Sequence, residues 1–349
     1  MAITPRPETP LDRPGALIAA LPAVLGFVPE RSLVLVTAAD GEMGAVLRID
    51  LESASTGQLA RLAELAAASG ADAAVAVIVD ENGSVCRMCA EDHRETADLL
   101  ADELETSGVT LLAAHVVDVV AAGGRWYCAD GCGNSGLVED PTASPIAVAA
   151  VLDGRRLYAR RADLVEVVAL VDPDHAQILA KVLTEAGDLD PDRPDAEVRA
   201  DIERALDCAG QVDGGSALSD GQLAGLARSV TDPRVRDTLY ALAVGDFAAA
   251  AEGLWAELSR RLPQPWRAEA LVLLAFSAYA RGDGPLAGIA LDAALRVDPA
   301  HNMAGMLDRA LQSGMRPEQI RELAHTGYRL AERLGLRLPP PRMFGRRAG

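Results

Sequence analysis

The stretch SLVLVTAADGEMGAVLRIDL, residues 32–51, carries the clearest strand-turn-strand pattern in the first half of the chain. Its first seven residues are apolar and rich in β-branched side chains, which is typical of a central strand that is buried on both faces. The following Asp40-Gly41 is a strong hairpin signal, although Gly44 suggests a looser turn. We therefore expect the chain to enter the sheet here and to return as a neighbouring strand.

The returning strand carries a charged pair on one face. Leu47 and Ile49 point to one side, while Arg48 and Asp50 point to the other, because successive side chains of a strand alternate. The apolar face is predicted to join the core. The charged face has two interpretations: Arg48 and Asp50 line a ligand pocket, or they form a structural ion pair on a solvated sheet face.

Helical and strand patterns alternate along the chain up to about residue 143. Helices are predicted at residues 15–27, at residues 55–70, and from after the Asn82-Gly83 turn to about residue 107. Pro22 should kink or break the first of these helices. Further strands are predicted at residues 73–80, 109–120 and 125–129. The order α-β-β-α-β-α-β-β is not the strict βαβ repeat of a dinucleotide fold. Residues 13–143 are therefore predicted to be an α+β domain, a mixed β-sheet with helices.

The second half, residues 144–336, is predicted to be all-helical. Gly245-Asp246 recurs as Gly282-Asp283, and the unit of helix, Gly-Asp turn and helix resembles a tetratricopeptide (TPR) repeat, most clearly in residues 278–304. Because only about two copies are visible, we expect a short bundle with TPR-like pairs and not a long solenoid. Residues 1–12 are read as a flexible arm and residues 337–349 as a basic, proline-rich tail.

The composition excludes several classes of partner. The chain has 349 residues and a net charge of −18, which disfavours nucleic acid and anionic membrane surfaces. No secretory leader and no apolar run of about 18 residues is visible, so no membrane partner is expected. Five cysteines at this low density suit a reducing cytoplasm, which is the predicted location.

The cysteines form two closely spaced pairs, Cys86 with Cys89 and Cys128 with Cys132. Four thiols at these spacings could hold zinc, the one cofactor that the sequence suggests, although we expect none. Two other interpretations stay open: small, partly buried thiols without a ligand, or a regulatory disulfide between Cys128 and Cys132.

Other polar and aromatic residues gather around the second cysteine pair. Arg125, Trp126 and Asp130 could bind an anionic or planar ligand, or could simply hold the loop in place. No phosphate-binding loop, dinucleotide fingerprint or nucleophile elbow is present.

The remaining histidines and tryptophans indicate packing more than chemistry. His115 is predicted to be a core residue, and Trp255 and Trp266 are interpreted as core or contact positions. The other four histidines are predicted at surface helix or loop positions: His93, His175, His301 and His325.

Several segments together resemble the actinobacterial family of unknown function DUF4192. They are LPAVLGFVPERSLVLV, AVLRIDL, Gly124-Arg125-Trp126 with the cysteine loop, TDPRVRDTLYALAV, and the segment from RAEALVLL to GMRP. The family's loop usually contains two adjacent cysteines, whereas Gly133 follows Cys132 here. The resemblance implies no reaction, because none is assigned to the family.

Taken together, these features predict a protein- or ligand-binding module without a recognisable catalytic motif. The helical half would bind a protein or peptide partner through its TPR-like pairs. The alternative is an enzyme or a small-ligand sensor whose site lies in the α/β half, near the RWYCADGC loop.

Overall fold

The computed structural model describes residues 13–83, 87–152 and 157–341, and it divides into two compact units at Arg161/Ala162. We call them the α/β unit and the helical unit. The predicted arm, Cys86 and residues 342–349 of the tail lie outside the described residues. Within the described residues, no helix is both long enough and apolar enough to cross a membrane.

The α/β unit is a six-stranded mixed sheet with helices. Its elements are α1 (Pro14–Leu25), β1 (Ser32–Ala39), β2 (Glu42–Asp50), α2 (Thr56–Ala68), β3 (Ala73–Val79), α3 (Arg87–Thr106), β4 (Thr110–Val117), β5 (Arg125–Cys128), β6 (Ser135–Leu137) and α4 (Pro145–Leu152). The strand order is β2-β1-β3-β4-β5-β6. Only β3 and β4 run parallel, joined through α3, and the other pairs are antiparallel. The predicted mixed sheet is confirmed, while the short strand β6 had been missed.

The hairpin between β1 and β2 is tight. Asp40 (φ 54°) and Gly41 (φ 81°) both have left-handed backbone, as a two-residue turn with matching twist requires. The expectation of a looser turn was wrong, because Gly44 serves another purpose. The pairing slips between Val36 and Ala38, and a β-carbon on Gly44 would lie 2.8 Å from Thr37 Oγ1. Gly44 therefore belongs to a β-bulge.

Both faces of the central strands are buried. One face joins α2 and α3 in a core that includes Leu33, Leu35, Leu59, Ile78 and Leu100. On the opposite face, valines of β1, β3 and β4 are buried as well. Helix α1 is buried over most of its length and packs against α4. The apolar run that predicted a central strand thus reflects burial on two sides.

Helix α1 continues through Pro22. A proline removes a hydrogen bond and usually bends a helix, but here it lies only three residues before the last helical residue, Leu25. Gly26 ends the helix: its left-handed backbone (φ 75°) lets its N–H reach the carbonyl of Pro22 at 2.8 Å. The predicted break at Pro22 was wrong.

The helical unit consists of helices and short 3-10 turns in its described residues. Its α-helices are α5 (Arg161–Glu166), α6 (Pro173–Ala186), α7 (Asp195–Asp213), α8 (Asp220–Ser229), α9 (Pro233–Leu239), α10 (Ala248–Arg261), α11 (Arg267–Arg281), α12 (Gly284–Val297), α13 (Asn302–Gln312) and α14 (Pro317–Arg333). A 3-10 turn, Tyr240–Ala243, follows α9. Trp255 is 1% exposed, so its predicted core position is confirmed.

In chain order the last six α-helices form three successive pairs, α9 with α10, α11 with α12, and α13 with α14, of which only α11 and α12 pack extensively against each other. The two predicted Gly-Asp turns fall inside the first two pairs. The third pair folds back, because α14 packs against α9, the 3-10 turn and α11. The approach is close: a β-carbon on Gly327 would lie 2.7 Å from the carbonyl oxygen of Thr238. The predicted short bundle is confirmed, and its likeness to TPR proteins is loose.

A buried ion network joins the helices of this unit. Arg193 donates from Nη1 to Asp201 (2.6 Å) and from Nε to Asp232 (2.8 Å). Asp232 also accepts the amide of Arg234 at 2.8 Å and so begins α9. The Arg193 side chain is only 5% exposed, so its charge is compensated almost entirely by these carboxylates.

Candidate functional site

The cysteine hairpin is built on a directly opposed pair of residues. His115 of β4 and Cys128 of β5 are register partners, so their side chains share one face of the sheet. Cys128 Sγ lies 3.5 Å from His115 Nδ1. His115 is 3% exposed, and its ring meets that of Trp126 edge-on, with centroids 5.3 Å apart. The prediction that His115 is a core residue is confirmed.

The turn after Cys128 brings two further donor groups to the same place. Asp130 Oδ1 accepts the amide of Cys132 at 2.9 Å, and the amide of Cys128 donates to the carbonyl of Asn134 at 2.9 Å. Gly133 has left-handed backbone, with φ 80°. As a result, the side-chain donor atoms of Cys128, Asp130 and Cys132 all lie within 4.8 Å of one another.

The protonation states of this cluster follow from burial. Burial lowers the pKa of His115 against the opposing effect of Asp130, which favours the neutral imidazole. Burial, followed by the hydrogen bond and charge of Cys132, raises the pKa of Cys128 to about 12. The side-chain hydrogen bond from Cys132 lowers the pKa of Asp130. Without a ligand, Cys128 is therefore a protonated thiol, His115 a neutral imidazole and Asp130 a carboxylate. Cys128 is thus not an activated thiolate.

Trp126 packs against glycines beside the cluster. A β-carbon on Gly136 would lie 2.9 Å from the indole ring, and one on Gly15 would lie 3.5 Å from Nε1. Both glycines therefore make room for the tryptophan. This contact brings the start of α1 to the β5–β6 hairpin.

Arg48 and Asp50 do not reach this cluster. They lie on β2, and strands β1, β3 and β4 separate β2 from β5. At about 4.8 Å per strand, the separation is about 19 Å. Arg48 instead pairs with Asp50, donates from Nε to Ser32 Oγ at 2.9 Å, and lies over the ring of Phe27 at 5.9 Å. The two predicted ligand groups are thus separate, and Arg48 is engaged in structural contacts.

Arg125 points away from the cysteine cluster. It precedes Trp126 on β5, so its side chain lies on the other face, and it is exposed. Its amide donates to Asp118 Oδ1 at 2.7 Å, which ties β5 to the end of β4. The backbone of Arg125 therefore helps to form the hairpin, while its side chain is free to solvent.

The other cysteine pair does not join the cluster within the part of the chain that the structure describes. Burial raises the pKa of Tyr127, and the charges of Asp80 and then of Cys89 raise it further, so Cys89 lies near this tyrosine. Tyr127 packs toward the core that faces α2 and α3, on the side of the sheet opposite to Cys128. Cys86 lies outside the described residues.

Two histidines predicted at the surface are buried. His93 is 4% exposed, and its Nε2 lies 3.0 Å from Asp80 Oδ2, because α3 crosses the end of β3. The His301 side chain is 8% exposed and lies 3.3 Å from Glu269. His175 is half-buried, and His325 is exposed as predicted. Helical periodicity around His93 could have signalled its burial, whereas Glu269 lies too far from His301 in sequence to be recognised.

These features define a class: an α/β unit that carries a thiol-bearing hairpin, followed by a unit of paired helices. Residues 14–318 match the family described as a domain of unknown function, DUF4192. The chain therefore belongs to this family, as its sequence segments had indicated. No curated protein and no solved structure matches the chain.

Proposed function

We propose that the protein is a binding module whose α/β unit holds a soft divalent cation, zinc being the reference ion, at the cysteine hairpin. The ligands would be Cys128, Asp130, Cys132 and His115. The observation that supports this proposal is the convergence of two thiols and a carboxylate within 4.8 Å, with an imidazole nitrogen 3.5 Å from one of the thiols.

The donor set suits zinc better than a hard cation. Thiolate and imidazole are the ligands that zinc prefers, and calcium and magnesium take oxygen almost exclusively. With Zn–S near 2.3 Å and Zn–N near 2.0 Å, a tetrahedral ion separates sulfur from nitrogen by about 3.5 Å. The Cys128–His115 separation of 3.5 Å already has that value.

Metal binding at this site would release protons. Because the pKa of Cys128 is raised to about 12, the thiol holds its proton at neutral pH and the ion must displace it. The apparent affinity should therefore rise with pH. The neutral form of His115, favoured by its lowered pKa, leaves its ring nitrogen available as a ligand.

The proposal is tested by titrating the reduced protein with Zn²⁺ and with Co²⁺, whose thiolate charge-transfer band reports sulfur ligation. We expect one ion per chain, and a loss of at least tenfold in affinity in Cys128→Ser and Cys132→Ser. Cys89→Ser is the matched control and should bind normally. The proposal fails if the reduced protein binds no stoichiometric metal, if the two variants bind like the parent, or if thiol titration finds a Cys128–Cys132 disulfide in place of the site.

The alternatives have less support. A catalytic pocket that joins Arg48 to the cysteine hairpin would have to span three strands, and the raised pKa of Cys128 does not favour a nucleophile. A peptide partner on the TPR-like pairs would compete with α14, which packs against α9 and α11. The net charge of −18 favours neither nucleic acid nor an anionic membrane as partner, and the absence of a disulfide among the described cysteines suits a cytoplasmic setting.

A further inference from the structure

The helical unit contains a cavity of about 240 Å³ whose wall is partly polar and partly apolar. Four separate segments form its wall: the loop after α6, the end of α8, the start of α11, and the turn between α12 and α13. The residues that matter for its chemistry are Asp188, Arg228, Trp266, Glu269, Asp298 and His301. None of them belongs to the cysteine hairpin, where the metal site is proposed.

Three buried polar atoms of the wall lack a hydrogen-bond partner within the described protein: Arg228 Nε, Glu269 Oε2 and His301 Nε2. Glu269 Oε1 is engaged by Arg236 at 3.1 Å, which anchors the carboxylate and leaves Oε2 for the cavity. Oε2 and His301 Nε2 lie 3.3 Å apart but are not aligned for a hydrogen bond. Folded proteins leave few such atoms unsatisfied, so each of them points to a ligand.

The helix cap at α13 fixes the state of His301. Its Nδ1 accepts the amide of Ala304 at 3.2 Å and therefore carries no proton. A neutral imidazole with an unprotonated Nδ1 must carry its proton on Nε2. His301 thus offers a neutral N–H donor to the cavity, close to the acceptor Glu269.

These groups offer two kinds of contact to a ligand. Arg228 and His301 supply donors that suit a carboxylate. Glu269, with Asp188 and Asp298 in the same wall, supplies negative charge that suits an ammonium group, and the indole of Trp266 can take the cationic end or an apolar side chain. We propose that this cavity binds a small zwitterion that carries both groups, an α-amino acid.

The proposal is tested by calorimetric titration of the full chain with each of the common L-α-amino acids. The comparison ligands are the matched carboxylic acid without the amine and the matched amine without the carboxylate. We expect one or more amino acids to bind at one per chain, and removal of either group to weaken binding at least tenfold.

Two variants test the residues without removing their structural contacts. Glu269→Gln keeps an acceptor for Arg236 but loses the charge, and His301→Asn keeps a good helix cap but loses the cavity donor. Each should weaken binding at least tenfold, while the exposed Glu322→Gln should not change it. The proposal is overturned if no amino acid binds at millimolar concentration, if both variants bind like the parent, or if the amine-free acid binds equally well.

Discussion

The two units bury their polar groups differently. Among the described residues, fully buried arginine and aspartate occur only in the helical unit, at Arg193, Asp201, Asp232 and Asp283. In the α/β unit the corresponding side chains are Ser32, Thr37, Ser144 and two histidines. Strands are placed by backbone hydrogen bonds, whereas neighbouring helices share none, and here buried ion pairs link the loop before α7, α7 itself and the start of α9. Strand pairing accordingly brings Cys128 to His115, whereas the packing of separate helices forms the wall of the cavity.

The largest loss of stability is expected when Arg193 is replaced. Arg193→Met should lower the free energy of unfolding of the helical unit by about 3 kcal/mol, because Asp201 and Asp232 would each lose their buried partner and keep only the partly exposed Arg204 and Arg234. Hydrogen exchange of peptides from α7 and α9 measures this loss, and strand peptides should not change. Arg296→Met is the control: its pair with Asp292 is about two-thirds exposed, so the effect should stay below about 1 kcal/mol. Equal losses in the two variants would contradict the role given to the buried network.

The matching experiment in the α/β unit removes apolar volume. Leu35→Ala should lower the free energy of unfolding by about 3 kcal/mol, because Leu35 is fully buried between the central strands and α2–α3. Hydrogen exchange in β1 and β3 reports the loss. Leu112, which is 57% exposed, provides a control that should tolerate alanine within about 0.5 kcal/mol. If peptides from the helical unit were destabilised as strongly as those from β1 and β3, the separation into two cores would be wrong.

A smaller effect is expected at the tight hairpin. Gly41→Ala forces a β-carbon into left-handed backbone at φ 81° and should cost about 1 kcal/mol. Gly57 of α2 has open space around it, so Gly57→Ala should instead stabilise by about 0.5–1 kcal/mol through helix propensity. Denaturant titration compares the two variants, and a shift of the same sign in both would refute the turn assignment.

The raised pKa of Cys128 can be tested by the rate at which its thiol is alkylated. Only the thiolate is alkylated, so a pKa of about 12 makes Cys128 slow at pH 7 and its rate rise about tenfold per pH unit up to pH 10. Mass spectrometry after timed iodoacetamide treatment follows each cysteine. Cys132→Ala removes one cause of the raised pKa, so Cys128 should then react faster. An unchanged rate would show that Cys132 has no influence.

The sheet could be predicted because its pattern is local. The run 32–38, the Asp40-Gly41 turn and the helix of residues 55–70 each carry their signal within a few neighbours. Strand β6 could not be found, because three residues containing Gly136 show no strand pattern, and their pairing with β5 depends on contacts outside the segment, such as Trp126 against Gly136. Pro22 misled for a similar reason: packing of α1 outweighs the cost of a proline near its end.

The candidate sites divide along the same line. Cys128, Asp130 and Cys132 lie within one short turn, so the sequence could group them, but their proximity to His115 depends on strand pairing. Arg48 and Asp50 share the cluster's sheet face but lie on the far edge strand, and strand order cannot be read from alternation. The wall of the helical cavity comes from segments up to about a hundred residues apart, and nothing local marks it.

The return of α14 fixes the size of the helical unit. Repeat proteins lengthen by inserting copies, since each new pair offers a fresh face to the next. Here the last helix lies on the first pair instead, held by the hydrogen bond from Tyr328 to the carbonyl of Val244 at 3.0 Å. Insertion of a further internal pair would separate α14 from α9 and would break this contact. Related chains should therefore differ in loop length and not in the number of helix pairs.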